Sequence, residues 1–272
     1  MSGKKLVRSF LALGDAELRQ AYAEELLLTS QPAFLADSLD ELGGLAETFD
    51  AGAREALVPL VTAMNQPRCE AAVQRLREEA AGRNLLCLER LLRSRPRAPV
   101  SRDPRLPGAD DEDEARVPDY GRGRVLTLGE RKSLARRPDR DTLEKVLSDP
   151  HPEVIRRLLV NPRLTEEHVV RLATRRPGSR AVLSEIACSA RWSTRSRVRL
   201  ALVLNPSLPE DMAVRLVSLL LRQELALVVS RVPLDSPVYA LCNERLRAAP
   251  PKASPFADGA ARVPAIDPKL VN

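Results

Sequence analysis

Arginine is the residue with most chemistry to offer in this chain. Between positions 156 and 215 stand Arg156, Arg157, Arg163, Arg171, Arg175, Arg176, Arg191, Arg195, Arg197, Arg199 and Arg215. A guanidinium grips a carboxylate or phosphate with two parallel N–H bonds and keeps its charge at any ordinary pH. Some recur at matching places: Arg157 precedes Leu158-Leu159-Val160-Asn161, and Arg199 precedes Leu200-Ala201-Leu202-Val203-Leu204-Asn205. Equivalent positions of a repeat fall on one face, where their fields add. The expectation is therefore a partner-binding ridge of Arg156, Arg157, Arg163, Arg171, Arg175, Arg176, Arg195, Arg199 and Arg215. The competing reading is a solvated surface partly paired with Glu144, Glu153, Glu166 and Glu167. Trp192, the single tryptophan, lies among these arginines. It joins the candidate set as a contact anchor, against the alternative that it pins a core or loop.

Other chemistries find little support. The two histidines, His151 and His168, have no ligand partner three or four residues away that completes a metal set, so they read as surface or capping residues. Cys69, Cys87, Cys188 and Cys242 are dispersed, with no CxxC, and read as free thiols in a reducing compartment. GxSxG, P-loop, GxGxxG and HExxH patterns are absent. No catalytic residue, metal or cofactor is expected, and the chain reads as a binding protein rather than an enzyme.

Charge distribution sharpens the reading. The 272 residues carry a formal net charge of +6. Residues 1–95 hold 12 basic and 14 acidic side chains, whereas residues 124–247 hold 23 and 14, a net of +9. The positive charge sits in one segment, which points to an acidic partner. Aromatic residues make up only 3%. A core of Leu, Val, Ala and Ile suits helix-on-helix packing, so the expected class is all-α. Arg8 interrupts the apolar run Leu6–Leu13, and Asp15 and Glu17 follow it, so no signal peptide is expected. No apolar run reaches the ~18 residues that a membrane-spanning helix needs, and a cytoplasmic location is expected.

Residues 1–95 read as a helical bundle. Asp15 caps one helix, and runs 32–48, 51–64 and 67–94 are separated by Gly43-Gly44, Asp50-Ala51-Gly52 and Asn65-Gln66-Pro67. Residues 96–123 combine five prolines with the acidic run Asp110–Glu114 and predict a disordered linker, which could also fold back on the basic segment. Residues 248–272, rich in Pro and Ala, predict a flexible tail.

Residues 124–247 repeat themselves. LARRPDRDTLEKVLSDPHPEVIRR, LLVNPRLTEEHVVRLATRRP and LALVLNPSLPEDMAVRLVSLL each read as helix, Arg-Pro or Asn-Pro turn, helix. Pro stops the helix, Asn tolerates the left-handed conformation that closes it, and Thr165 or the Ser207–Glu210 capping box starts the next. Val154, Ile155, Leu158, Leu159, Val169, Val170, Leu172, Ala173, Val198, Leu200, Ala201 and Val203 face neighbouring helices. The stretch 177–197 is irregular. This pattern, with its period near 24, resembles the leucine-rich repeat variant family and is similar to HEAT-like bacterial repeats. The resemblance implies a C-terminal α-solenoid of short helices stacked into a right-handed superhelix. The family's founding type carries a cysteine-rich iron–sulfur module, for which this chain has no matching run. The expected function is a non-catalytic scaffold or adaptor holding an acidic protein. The alternative is a nucleic-acid-binding HEAT-like protein, including a DNA-glycosylase-like fold, for which the aromatic residues are scarce.

Overall fold

The structure, a computed structural model, describes residues 2–93, 117–136 and 139–248. The acidic run Asp110–Glu114, most of the expected linker and the expected tail beyond Ala248 lie outside the described residues. Among the described residues every regular element is a helix, as a core poor in aromatics dictates.

The first half comprises α1 (Gly3–Ala12), α2 (Ala16–Thr29), α3 (Pro32–Glu47), α4 (Ala51–Met64), a 3-10 turn (Pro67–Cys69), α5 (Glu70–Arg83) and α6 (Leu86–Leu92). Helix starts follow capping chemistry. The Asp15 carboxylate accepts from the Glu17 and Leu18 amides, and that of Asp50 from Ala53. Helix α3 lies at the centre, packed on α1, α4, α5 and α6. Leu39, Leu42, Leu57, Leu60, Leu76 and Leu88 are fully buried around it. Two expected boundaries move. Gly43-Gly44 does not interrupt α3; a Cβ at Gly43 would lie 3.2 Å from Cys87 Cβ, so the glycines let α6 approach closely. The single run 67–94 breaks at Asn84, whose left-handed φ of 53° ends α5.

The second half comprises α7 (Leu128–Arg136), α8 (Arg140–Leu147), α9 (Pro152–Leu159), α10 (Glu166–Thr174), α11 (Arg180–Ala187), α12 (Ala190–Ser193), α13 (Ser196–Val203), α14 (Glu210–Val217), α15 (Arg222–Val229) and α16 (Pro237–Ala248). Alternate helices pack on one another: α9 on α7 and α11, α13 on α15, and α14 on α16. The apolar positions read from the repeat are buried, with Val170 and Leu200 partly so.

Three turns share one construction that differs from the expected left-handed Asn. Asn161 and Asn205 do not have positive φ. Their side-chain oxygens instead accept from the amides of Arg163 and Ser207, two residues on, at 2.9 and 3.0 Å. The Nδ2 of Asn161 donates to the Ala135 and Arg136 carbonyls, and that of Asn205 to Ala173 and Arg175. Each Asn folds its own turn and caps the end of an earlier helix. Asp149 has the same local role, accepting from His151 N–H at 2.9 Å. Its carboxylate also takes Arg131 Nη1 at 2.9 Å and the Tyr120 hydroxyl at 2.7 Å. Buried Tyr120 and partly buried Val117 thus bring residues 117–123 onto the second half, although composition assigned them to the linker. At α14 the expected Ser207–Glu210 capping box is absent: Pro209 is the N-cap and makes no side-chain bond.

The halves touch at the irregular stretch 177–197 and again beyond it. Helix α12, only four residues long, packs on α2 and α4, and α14 packs on α6. Gln66 Nε2 donates to the Cys188 carbonyl at 3.0 Å, and Arg54 Nη2 donates to that of Leu219 at 2.7 Å. Arg215 Nη1 reaches the Met64 carbonyl at 3.1 Å and Asn65 Oδ1 at 2.9 Å.

Candidate functional site

The structure divides the ten candidate residues into three groups. Arg156 and Arg171 are exposed and ion-paired, Arg156 Nη2 with Glu185 at 2.6 Å and Arg171 Nη2 with Glu144 at 2.9 Å. Arg197 repeats the pattern with Glu167 at 3.1 Å. The hydrogen-bonded carboxylates of Glu185 and Glu144 hold the pKa values of Arg156 and Arg171 above the ordinary arginine value. These pairs span neighbouring helices, and exposed pairs of this kind contribute about 0–1 kcal/mol.

A second group has turned inward. Arg199 is 7% exposed, Arg215 1% and Trp192 2%. Arg199 Nη1 donates to the Ser193 carbonyl at 2.7 Å, while burial pushes its pKa down to about 10 against the raising influence of Glu224. Burial likewise lowers the Arg215 pKa, opposed by Asp211, whose carboxylate lies 3.2 Å from Nη2. Trp192 Nε1 donates to the Leu159 carbonyl at 2.8 Å, and Arg191 lies over its ring at 4.5 Å. Arg157 is half-buried. The ridge is therefore not continuous: Arg199, Arg215 and Trp192 serve the chain's own backbone. The reason is the shortness of the helices. An eight-residue helix leaves a large share of its carbonyls without an intrahelical partner, and a long donor from a neighbour satisfies them.

The third group stays at the surface. Arg163, Arg175, Arg176 and Arg195 are exposed. Arg175 Nη1 donates to the Ser148 carbonyl at 3.3 Å and Arg176 Nη2 to that of Leu204 at 2.7 Å. Both side chains line a concavity of about 310 Å³ that includes Asp149, Gly178, Ser179 and Val182. The histidines act as helix caps: His151 Nδ1 accepts from Glu153 N–H at 3.1 Å, and His168 completes a capping box with Thr165. All four cysteines are free thiols. Among the described residues no three His, Cys, Asp or Glu side chains converge as a metal site would require, and no helix is long and apolar enough to cross a membrane.

A second cavity, of about 380 Å³, opens between the halves. Arg19, Gln20, Arg54 and Glu55 reach it from α2 and α4, and Ala190, Ser193, Arg199 and Leu219 from the second half. Of these only Arg199 was singled out in the sequence. Arg19 and Arg54 lie more than 130 positions earlier in a region with a balanced charge, so no local signal joins them to it.

Compared with protein-family models, with curated proteins and with solved structures, the chain finds no match.

Proposed function

We propose that this chain is a non-catalytic interaction module whose second half, an α-solenoid of short helices, holds an acidic protein partner. The observation that carries the reading is the pair Arg175 and Arg176. Both are exposed at the rim of one concavity, and each spends a single guanidinium nitrogen on a carbonyl. Most of their donors remain directed to solvent, where a partner's carboxylates can take them in bidentate fashion. Arg163 and Arg195, also exposed, extend the basic surface. The paired Arg156 and Arg171 contribute field rather than open donors. Buried Trp192 offers no stacking platform, which favours protein over nucleic acid as the partner.

The test is titration of labelled poly-L-glutamate by fluorescence anisotropy at low and high salt. Replacing Arg175 and Arg176 together with Gln should weaken binding about tenfold, or about 1.4 kcal/mol, and flatten its salt dependence. Equal binding by the wild type and the double variant would overturn the reading. Tighter, steeply salt-dependent binding of duplex DNA would replace it with the nucleic-acid reading.

A further inference from the structure

The cavity between the halves has features that neither packing nor the surface arginines account for. Arg199, nine-tenths buried, lines it, and its Nε lies buried with no hydrogen-bond partner. Half-buried Arg54 lines it from the other half, and its Nε is likewise buried without a partner. Burial lowers the Arg199 pKa most, Glu224 opposes it, and Arg54 adds a smaller lowering. Two guanidiniums brought together across a seam repel one another, and orphaned buried donors cost free energy.

Two carboxylates offset this charge only in part. Glu55 is bound to Arg19 at 2.6 Å. Glu224, the acid that bears on both Arg54 and Arg199, accepts from the Leu221 amide at 2.7 Å. The remaining wall is largely apolar, with Ala51, Val58, Pro59, Ala190 and Leu219. Gln20 adds a buried side-chain oxygen with no donor. A volume of about 380 Å³ lies within the range of small-molecule pockets.

We infer that this cleft binds a small organic phosphate ester: the phosphate takes the Arg54 and Arg199 guanidiniums, and an apolar body lies along Val58 and Leu219. Arg54 Nη2 and Arg199 Nη1 each already hold one carbonyl, those of Leu219 and Ser193, and a phosphoryl group provides bidentate acceptors for the remaining guanidinium donors. Because the ligand's charge would bridge α4 and α13, occupancy would also fasten the two halves. This site is separate from the Arg175–Arg176 surface and does not depend on it.

The test is isothermal titration of the full chain with phenyl phosphate, with phenol and inorganic phosphate as companions. Phenyl phosphate should bind with one-to-one stoichiometry, inorganic phosphate should compete, and phenol should give no signal. Arg54→Gln should weaken binding at least tenfold. Ala51→Asp should do the same without touching a buried group, because it adds a negative charge at the exposed first residue of α4, where helices favour acids. The double replacement of Arg175 and Arg176 by Gln should leave phenyl phosphate binding unchanged, which separates this site from the partner surface. Absence of one-to-one binding to folded wild type would overturn the proposal, as would affinity unchanged in both Arg54→Gln and Ala51→Asp.

Discussion

The two halves use the same residue types to solve different problems. In the first half α2 to α5 run 14 to 16 residues, so most backbone carbonyls find partners within their own helix. Several of its arginines are matched to acids, Arg19 to Glu55, Arg83 to Asp37 and Arg90 to Glu47, while Arg19, Arg77 and Arg83 also donate to carbonyls of their own half. In the second half most helices have eight or nine residues, and the ends make up much of the structure. There ion pairs such as Arg156–Glu185 and Arg171–Glu144 stand beside a further set of donors that go to carbonyls: Arg175 to Ser148, Arg176 to Leu204, Arg191 to Asn161, Arg199 to Ser193, Arg245 to Val217. A carbonyl is neutral, so each such contact adds a cation without calling for an acid. The net +9 of residues 124–247 is in part the electrostatic by-product of short helices. Binding an acidic partner then falls to those cations that remain exposed.

The sharpest way to break the contrast is Arg215, where a donor of the second half caps the end of a long helix of the first. Arg215→Ala removes the bonds to Met64 and Asn65 and leaves a void in a site only 1% exposed. The expected loss is about 3 kcal/mol or more, read by urea denaturation, with the single transition splitting in two as the halves come apart. A single transition at the wild-type midpoint would show that the halves do not depend on this residue.

A smaller effect should follow from Asn205→Asp. The substitution keeps the turn-forming oxygen but removes both N–H bonds to the Ala173 and Arg175 carbonyls. The loss should be about 2 kcal/mol. In the first half, Thr62→Val removes only a hydroxyl bond to the Val58 carbonyl four residues back within the same helix, and should cost about 1 kcal/mol or less. Equal costs at the two sites would remove the distinction between long and short helices.

An effect confined to alkaline solution is a pH dependence at the seam. Burial, and then Glu185, push the Cys188 thiol up to about 12, against the pull of Arg215 and Arg156. Below its ordinary value near 9 the thiol is protonated whether folded or unfolded and contributes nothing to the pH dependence. Above 9 the unfolded chain releases the proton and the folded chain keeps it, so stability falls as pH rises from 9 towards 12, by at most about 1.4 kcal/mol per pH unit. Cys188→Ala should flatten the alkaline limb of the stability curve. An unchanged limb would assign the loss to other groups.

Much of this architecture was legible in the sequence because it depends on local rules. The helix-period apolar positions, the Asp15 and Thr165 caps and the Pro-punctuated turns all follow from neighbours a few residues apart. The roles of Asn161 and Asn205 were misread as left-handed backbone because their real partners lie 25 to 32 residues earlier. Arg199 and Arg157 matched in register along the sequence, yet exposure depends on what stacks above, and α2 and α4 cover the irregular unit near Arg199. Tyr120 was lost in a stretch dominated by Pro and acidic residues, although one aromatic ring is enough to fasten a segment to a core. The cleft was beyond reach, since Arg54 and Arg199 meet only when the two halves do.

One residue makes that meeting visible. Trp192 is the only tryptophan of the chain, and it is carried by α12, the short helix that seats on α2 and α4. Its indole is shielded from water and overlaid by the Arg191 guanidinium. The protein therefore carries its single tryptophan fluorophore, which can be excited apart from its three tyrosines, at its seam. Separation of the halves would wet this ring and shift its emission to the red, whereas fraying at α1 or α16 would leave the spectrum untouched.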